Sequence, residues 1–416
     1  MSAFTTFQTK LRSNFLMTFA ALRHPNYRLW FRGMLVSLVG TWMQNTAQGF
    51  LVFQLTNSPA YLGYVAFASG LPSWFFTLYG GVIADRIPRR RMIMITQSSM
   101  MILAFIQAFL VFSGLVQAWH IIILALLLGV ANAFDAPARQ SFVVEMVDHN
   151  DLTNAIALNS TMFNLATVIG PAVAGIIYAW VGPAWCFTIN GVSFIAVILS
   201  LALMKLPPRS IPPAHGQAYA LLREGFQYTR NNANILGILF LVGTVSVFAS
   251  GMLTLIPAWS VNVLHGDATT NGLLLSARGF GSMIAGLFIA WLSQYGVKGK
   301  ALSIGSLILP VVMILFALTN NLHLSLVFLM GIGFGFMLVV NNANAVLQSS
   351  LPDNLRGRVM SIYVMVFFGA QPIGSLLAGE LAEMANEQLS VLVSSALLLA
   401  CSLFIRFRLP NLTSVR

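Results

Sequence analysis

Residues 80–91 read GGVIADRIPRRR, and four arginines and one aspartate fall within them. Apolar sequence flanks the stretch on both sides, LPSWFFTLY before it and MIMITQSSMMILAFIQAFLVF after it. Such a concentration of charge stands out in a chain of 416 residues of which 8% are charged and 57% hydrophobic. A soluble domain is nearer half apolar and a quarter charged. At a mean hydropathy of +0.81, this chain carries more apolar surface than a soluble core can hide. Helical runs of about 20 apolar residues cross about 30 Å of hydrocarbon. The runs are continuous rather than alternating, which excludes a β-barrel. The fold class is therefore an all-α integral membrane protein, and GGVIADRIPRRR is a polar turn between two of its spans.

Working outward from that turn, twelve spans are expected, at 29–54, 60–84, 92–113, 119–141, 153–180, 184–205, 235–262, 270–294, 301–319, 323–349, 359–384 and 388–407. The chain divides into an amphipathic N-terminal segment 1–28, a six-span half 29–205, a linker 206–234, a second six-span half 235–407 and a tail 408–416. Lys10, Arg12, Arg23, Arg28 and Arg32 precede a run that is long enough to span and has no small-residue cleavage site, so no removed signal is expected. Residues 13–24 read as an amphipathic helix on the inner face.

With the N-terminus inside, nearly every Lys and Arg falls in or beside an inner loop: 1–28, 85–91, 142–152, 206–234, 295–300, 350–358 or 408–416. The outer loops 114–118, 181–183, 263–269, 320–322 and 385–387 contain none. This asymmetry is the positive-inside rule. It places both termini in the cytoplasm and assigns the net charge of +11 to anionic lipid rather than to nucleic acid. Cys186 and Cys401 are isolated in apolar runs, the six histidines are scattered, and no P-loop occurs. No metal, cofactor or enzymatic chemistry is expected.

The halves repeat. NSPAYLGYVAFASG (57–70) aligns with DATTNGLLLSARG (267–279), setting Gly63 against Gly272 and Gly70 against Gly279. The same offset pairs Asp85 with Gln294 and Arg89 and Arg91 with Lys298 and Lys300. IGPAVAG (169–175) likewise matches IGSLLAG (373–379). Two six-span repeats joined by a polar linker are a transporter architecture.

GVIADRIPRRR resembles the G-x-x-x-D-R-x-G-R-R-[RK] signature of the major facilitator superfamily, matching at Gly81, Asp85, Arg86, Arg89, Arg90 and Arg91. Pro88 stands where the pattern has glycine, and proline cannot take positive φ. Residues 22–59 and 135–171 are similar to the branch of bacterial exporters that holds the enterobactin exporters and macrolide efflux proteins. ATVIGPAVAG (166–175) resembles the span-5 pattern of facilitators that act as antiporters, matching at Gly170, Pro171 and Gly175, with Ala166 and Ala174 in place of glycines. The resemblance implies that the inner end of span 2 faces that of span 11. Asp85 would then meet a helix N-terminus, a contact worth roughly 0.3–1 kcal/mol, and act as an inner gate; the plainer reading is a charged loop that only fixes orientation.

A charge at mid-membrane costs about 2.5–3.5 kcal/mol on insertion scales, so each one is a site candidate. Asp135 and Arg139 are four apart and can pair. Asp135 is read either as a gate residue or as the proton-coupling group, with Glu380 as another coupling candidate and Glu383 as its rim neighbour. Arg278 has two readings, an acid partner within the chain or an anionic group of the substrate. The resemblance makes spans 1, 4, 7 and 10 the cavity lining. There Trp42, Gln44, Asn45, Gln48, Asn132, Asn341, Asn342 and Asn344 are candidates, alongside Phe50, Phe53, Ser246, Phe248, Ser250 and Thr254. These amides are also suited to bonds between helices. The expected function is proton-coupled export of a small amphipathic organic molecule, drug-like or siderophore-like, by alternating access. The expected protein is a monomer of the bacterial inner membrane. An uptake permease and a non-transporting receptor are the alternatives.

Overall fold

The computed structural model describes residues 19–84, 87–206 and 218–408, and within them the side chains other than those of 77–84 and 218–223. Twelve long helices are found among the described residues. The first six are α1 Pro25–Thr56, α2 Pro59–Ala84, α3 Arg89–Phe112, α4 Ala118–Phe142, α5 Leu152–Val181 and α6 Pro183–Leu203. The second six are α7 Ala233–Thr254, α8 Ala268–Leu292, α9 Lys298–Ala317, α10 Leu322–Ser350, α11 Asp353–Met384 and α12 Glu387–Arg408. Ten of these are long and apolar enough to cross a bilayer. The more polar α1 carries Arg28, Arg32 and five amides, and the side chains at the end of α2 lie outside the described set.

Several helices begin earlier than their apolar runs. Arg89–Arg91, Lys298–Lys300 and Asp353–Arg358 are helical, not loop. The physical reason is that a helix continues past the hydrocarbon, where long side chains in its first turn reach the polar interface. Pro88 caps α3, a place where its missing N–H costs nothing. Beyond Thr254, α7 continues through Ile256–Ala258 into a π turn, Trp259–Val263. Pro257 removes a backbone donor there, and the wider turn absorbs the break.

Of the N-terminal amphipathic segment, Ala20–Arg23 forms a short 3-10 turn. It is tied to the start of α5 by Ala21 N–H donating to Asn154 Oδ1 (2.9 Å) and by His24 Nε2 at 2.8 Å from Asp151. Residues 13–18, the PPRSIPP run of the linker and 409–416 lie outside the described residues. The rest of the linker holds an amphipathic helix, Ala218–Asn231.

The packing repeats helix for helix. In the first half α1 packs on α5 and α6, α2 on α4, and α3 on α4 and α6. In the second half α7 packs on α11 and α12, α8 on α10, and α9 on α10 and α12. The two most extensive contacts between the halves, α2 with α11 and α8 with α5, are equivalents under the same repeat. The equivalence holds at single residues. A Cβ on Gly63 would lie 2.8 Å from Ser375 O, and one on Gly272 would strike Pro171 O. A Cβ on Gly379 would lie 2.9 Å from Pro59 O, and one on Gly175 2.8 Å from Ala268 O. Small residues let the backbones approach this closely.

Among the described residues, hydrogen bonds between the halves gather away from the linker, at what we call the far end. Ser58 Oγ donates to Glu383 Oε2 (2.6 Å), Tyr64 OH to Glu380 Oε1 (2.5 Å) and Ser276 Oγ to Val168 O (2.7 Å). Deeper in, Trp74 Nε1 donates to Gly369 O (3.0 Å). Toward the linker end α5 and α8 separate, and a Cβ on Gly286 would find only Asn164 Nδ2, at 4.0 Å. A cavity of about 480 Å³ sits at the far end, lined by Phe50, Phe53, Gln54, Tyr178, Val261 and Asp267, away from the mid-helix amides.

Candidate functional site

Asp135 is the most deeply buried carboxylate among the described residues, with 1% of its surface accessible. Its Oδ1 accepts from Thr96 Oγ1 (2.7 Å) and Gln97 Nε2 (3.1 Å) of α3. Its Oδ2 lies 2.5 Å from Arg139 Nε, one turn on along α4. This last contact is an ion pair rather than an aligned hydrogen bond. Arg139 also reaches α1, with Nη1 3.6 Å from Met34 Sδ. α3 and α4 therefore meet at one carboxylate, and its arginine partner reaches α1. Thr96 and Gln97 do not stand out in the sequence: TQSS at 96–99 is a polar interruption in an apolar run, and nothing local shows that it faces α4. Arg86, the other predicted neighbour, lies outside the described residues, as does Asp85.

Two of the signature arginines, Arg89 and Arg90, are anchored within their own half. Arg89 Nη1 donates to Glu145 Oε1 (2.9 Å) and Ser141 O (3.1 Å) past the end of α4. Arg90 Nη2 donates to Ala202 O (3.0 Å) at the end of α6. Both sit where the helix dipole is negative. Arg91 is exposed, and the Gly81 backbone is helical. The N-terminus of α11, the expected partner of Asp85, carries its own acid. Asp353 Oδ1 lies 2.7 Å from Arg356 Nη2, and Arg358 pairs with Glu224 of the linker helix.

The amides divide. Gln44, Gln48 and Asn342 are buried. Gln44 Oε1 accepts from Asn190 Nδ2 of α6 (2.7 Å), and Asn342 Nδ2 donates to Leu338 O of its own helix (2.8 Å). Asn344 Oδ1 accepts from Gln348 Nε2 (2.6 Å). These are ties within a half. Asn45 of α1 and Asn341 of α10 are exposed, and Asn132 and Trp42 are half-buried. Trp42 meets Phe163 edge-on at 5.7 Å, and its Cβ is where a side chain on Gly170 would have to go. Pro171 and Gly175 lie in the α5–α8 contact. The Arg278 guanidinium lies over the Phe336 ring of α10, 5.7 Å from its centroid. Among the described residues no three His, Cys, Asp or Glu side chains are grouped to hold a metal.

Comparison with known proteins agrees with this geometry. Residues 16–416 match the family described as Transmembrane secretion effector, one of the major facilitator families. The Staphyloferrin A transporter of Staphylococcus aureus is 25% identical over 354 residues, 84% of this chain and 88% of that one. The Multidrug efflux pump Tap of Mycolicibacterium fortuitum is 27% identical over 360 residues, 83% of this chain and 86% of that one. The Enterobactin exporter EntS of Citrobacter koseri is 25% identical over 97% of both chains. Among solved structures, the nucleoside transporter NupG shares the fold with a TM-score of 0.72 at 14% identity, over 93% of this chain and 98% of that one. A bacterial homologue of the lysosomal transporter Spinster, inward-facing and occupied, gives 0.74 at 13% identity, over 94% of this chain and 97% of that one.

Proposed function

We propose that this chain, which belongs to the major facilitator superfamily as a transmembrane secretion effector, exports a small amphipathic organic molecule in exchange for protons. The relatives are pumps, exporters and transporters of drugs and siderophores by name. The observation that carries the mechanism is that the halves are tied by hydrogen bonds at the far end of two equivalent interfaces, while α5 and α8 part toward the linker end. Residues 29–205 and 235–407 then rock as two bodies about these interfaces, and the linker 206–234 lets them. The linker end and both termini face the cytoplasm, so cargo enters between α5 and α8 and between α2 and α11 from inside. Asp135 is the coupling group. Protonation removes its charge and weakens its hold on Arg139, and so loosens the link that Arg139 makes from α4 to Met34 of α1. Glu380, held by Tyr64 at the closed end, meets the outside when that end opens.

The direct test is proton flux in proteoliposomes of known orientation. A transported compound supplied on the linker side should move protons toward that side, against its own direction. Protons moving with the compound would make the protein an uptake carrier. The orientation has its own test. With Cys186 and Cys401 replaced by alanine, single cysteines at Asp267 and Lys298 should label oppositely. An impermeant thiol reagent outside cells should reach Asp267→Cys and spare Lys298→Cys; the reverse pattern would invert the topology.

A further inference from the structure

We infer that the cargo carries an anionic group and that Arg278 holds it; this rests on the export reading above and names its substrate class. The chain has eleven Asp and Glu side chains, and all but Asp85 belong to described residues. Four of these pair with arginines, Asp135 with Arg139, Glu145 with Arg89, Glu224 with Arg358 and Asp353 with Arg356, and Asp151 meets the His24 ring. Glu380, Glu383 and Glu387 accept from Tyr64, Ser58 and Asn262. Asp267 caps its own helix, and Asp148 is exposed in the turn after α4. The remaining acid, Asp85, follows the linker end of α2 in the other half of the chain. Among the described residues, then, no carboxylate pairs with Arg278.

Arg278 lies ten residues into α8, roughly 15 Å down the helix from the far end. Its side chain is half-buried, with Nε wholly covered by protein atoms. Its Nε has no acceptor among the described residues. The face of Phe336 offsets its charge in part. Behind that ring stand Phe367, 6.1 Å from Phe336, and Tyr363, stacked on Phe367. Asn341 is exposed on α10, the helix that carries Phe336. A guanidinium fork takes a carboxylate or phenolate through paired hydrogen bonds. An aromatic wall beside it takes the apolar body. The same unpaired cation repels lipophilic cations, which gives discrimination as well as affinity.

The test is a matched pair of fluorescent probes, dansyl-phenylalanine and its carboxamide, which differ in the carboxylate alone. Both are titrated into the wild-type protein in nanodiscs, read by energy transfer from tryptophan. Wild type should favour the carboxylate by about tenfold or more. In Arg278→Gln that preference should fall to about one, with carboxamide affinity unchanged within about twofold, and Arg278→Lys should retain an intermediate preference. Equal binding of both probes to wild type, or a preference that survives Arg278→Gln, overturns the anion assignment and leaves the cavity reading standing. Failure of both probes to bind a wild-type protein that melts cooperatively overturns the cavity reading as well. A purely structural arginine predicts something else: Arg278→Gln would melt lower and lose both probes in proportion, which also overturns the assignment.

Discussion

Asp135→Asn should abolish pH-driven export and leave substrate binding and counterflow intact. The amide keeps an oxygen for Thr96 and Gln97 but cannot take and release a proton. Its nitrogen would face Arg139 Nε, donor against donor. Breaking a fully buried ion pair costs about 3–5 kcal/mol. Arg139 is 26% exposed, so roughly 2 kcal/mol is the expected loss of stability. That loss is separable from coupling. Asp135→Asn combined with Arg139→Gln removes both charges, and its melting temperature should recover most of the deficit while pH-driven export stays absent. The comparison is counterflow against pH-driven transport in the same vesicles. If both activities fall together in the single variant and return together in the double, Asp135 is structural, and Glu380 becomes the coupling group to test.

Gly272→Val should cut transport by more than tenfold with normal membrane insertion. Any Cβ at this position runs into the Pro171 carbonyl, and the Gly175 Cα lies 3.0 Å from it. Neither is the end of a flexible side chain, so α5 and α8 must part and the far end cannot close. Repeat symmetry predicts the same for Gly63→Val, whose Cβ would sit 2.8 Å from Ser375 O. Gly286→Ala is the control, since its nearest neighbour is 4.0 Å away, and transport should be unchanged. An impermeant reagent should label a cysteine at Ser276 faster in the Gly272→Val background than in wild type. Full activity in both valine variants would mean that these contacts do not gate transport.

Much of the architecture is legible in the sequence because a bilayer imposes length and hydropathy on each span. The match of residues 57–70 to 267–279 was readable, and the structure places its paired glycines, Gly63 and Gly272, at the α2–α11 and α8–α5 interfaces, although the repeat alone did not name the partner helices. Other features left no local trace. Hydropathy could not separate Gln44, bonded to Asn190, from Asn45, one residue on and exposed. A cavity and a helix contact both satisfy an amide, so composition is blind to the difference. The i,i+4 spacing of Asp135 and Arg139 was readable, whereas Thr96 and Gln97 join them only through the rotation of α3 against α4. Arg89 and Lys298 read as loop because charge lowers hydropathy, although the backbone hydrogen bonds of their helices continue through them.

The central claim is that the two ends open in alternation and that a proton at Asp135 biases the exchange. Spin labels at Trp180 and Met384 report the far end, and a second pair at Val144 and Gln348 reports the linker end. Distances are measured by double electron–electron resonance in nanodiscs, in acidic and alkaline buffer. The account predicts two populations in each pair, shifting with pH in opposite directions, and no pH response in Asp135→Asn. Distances that ignore pH in the wild-type protein, or that lengthen at both ends together, would contradict it.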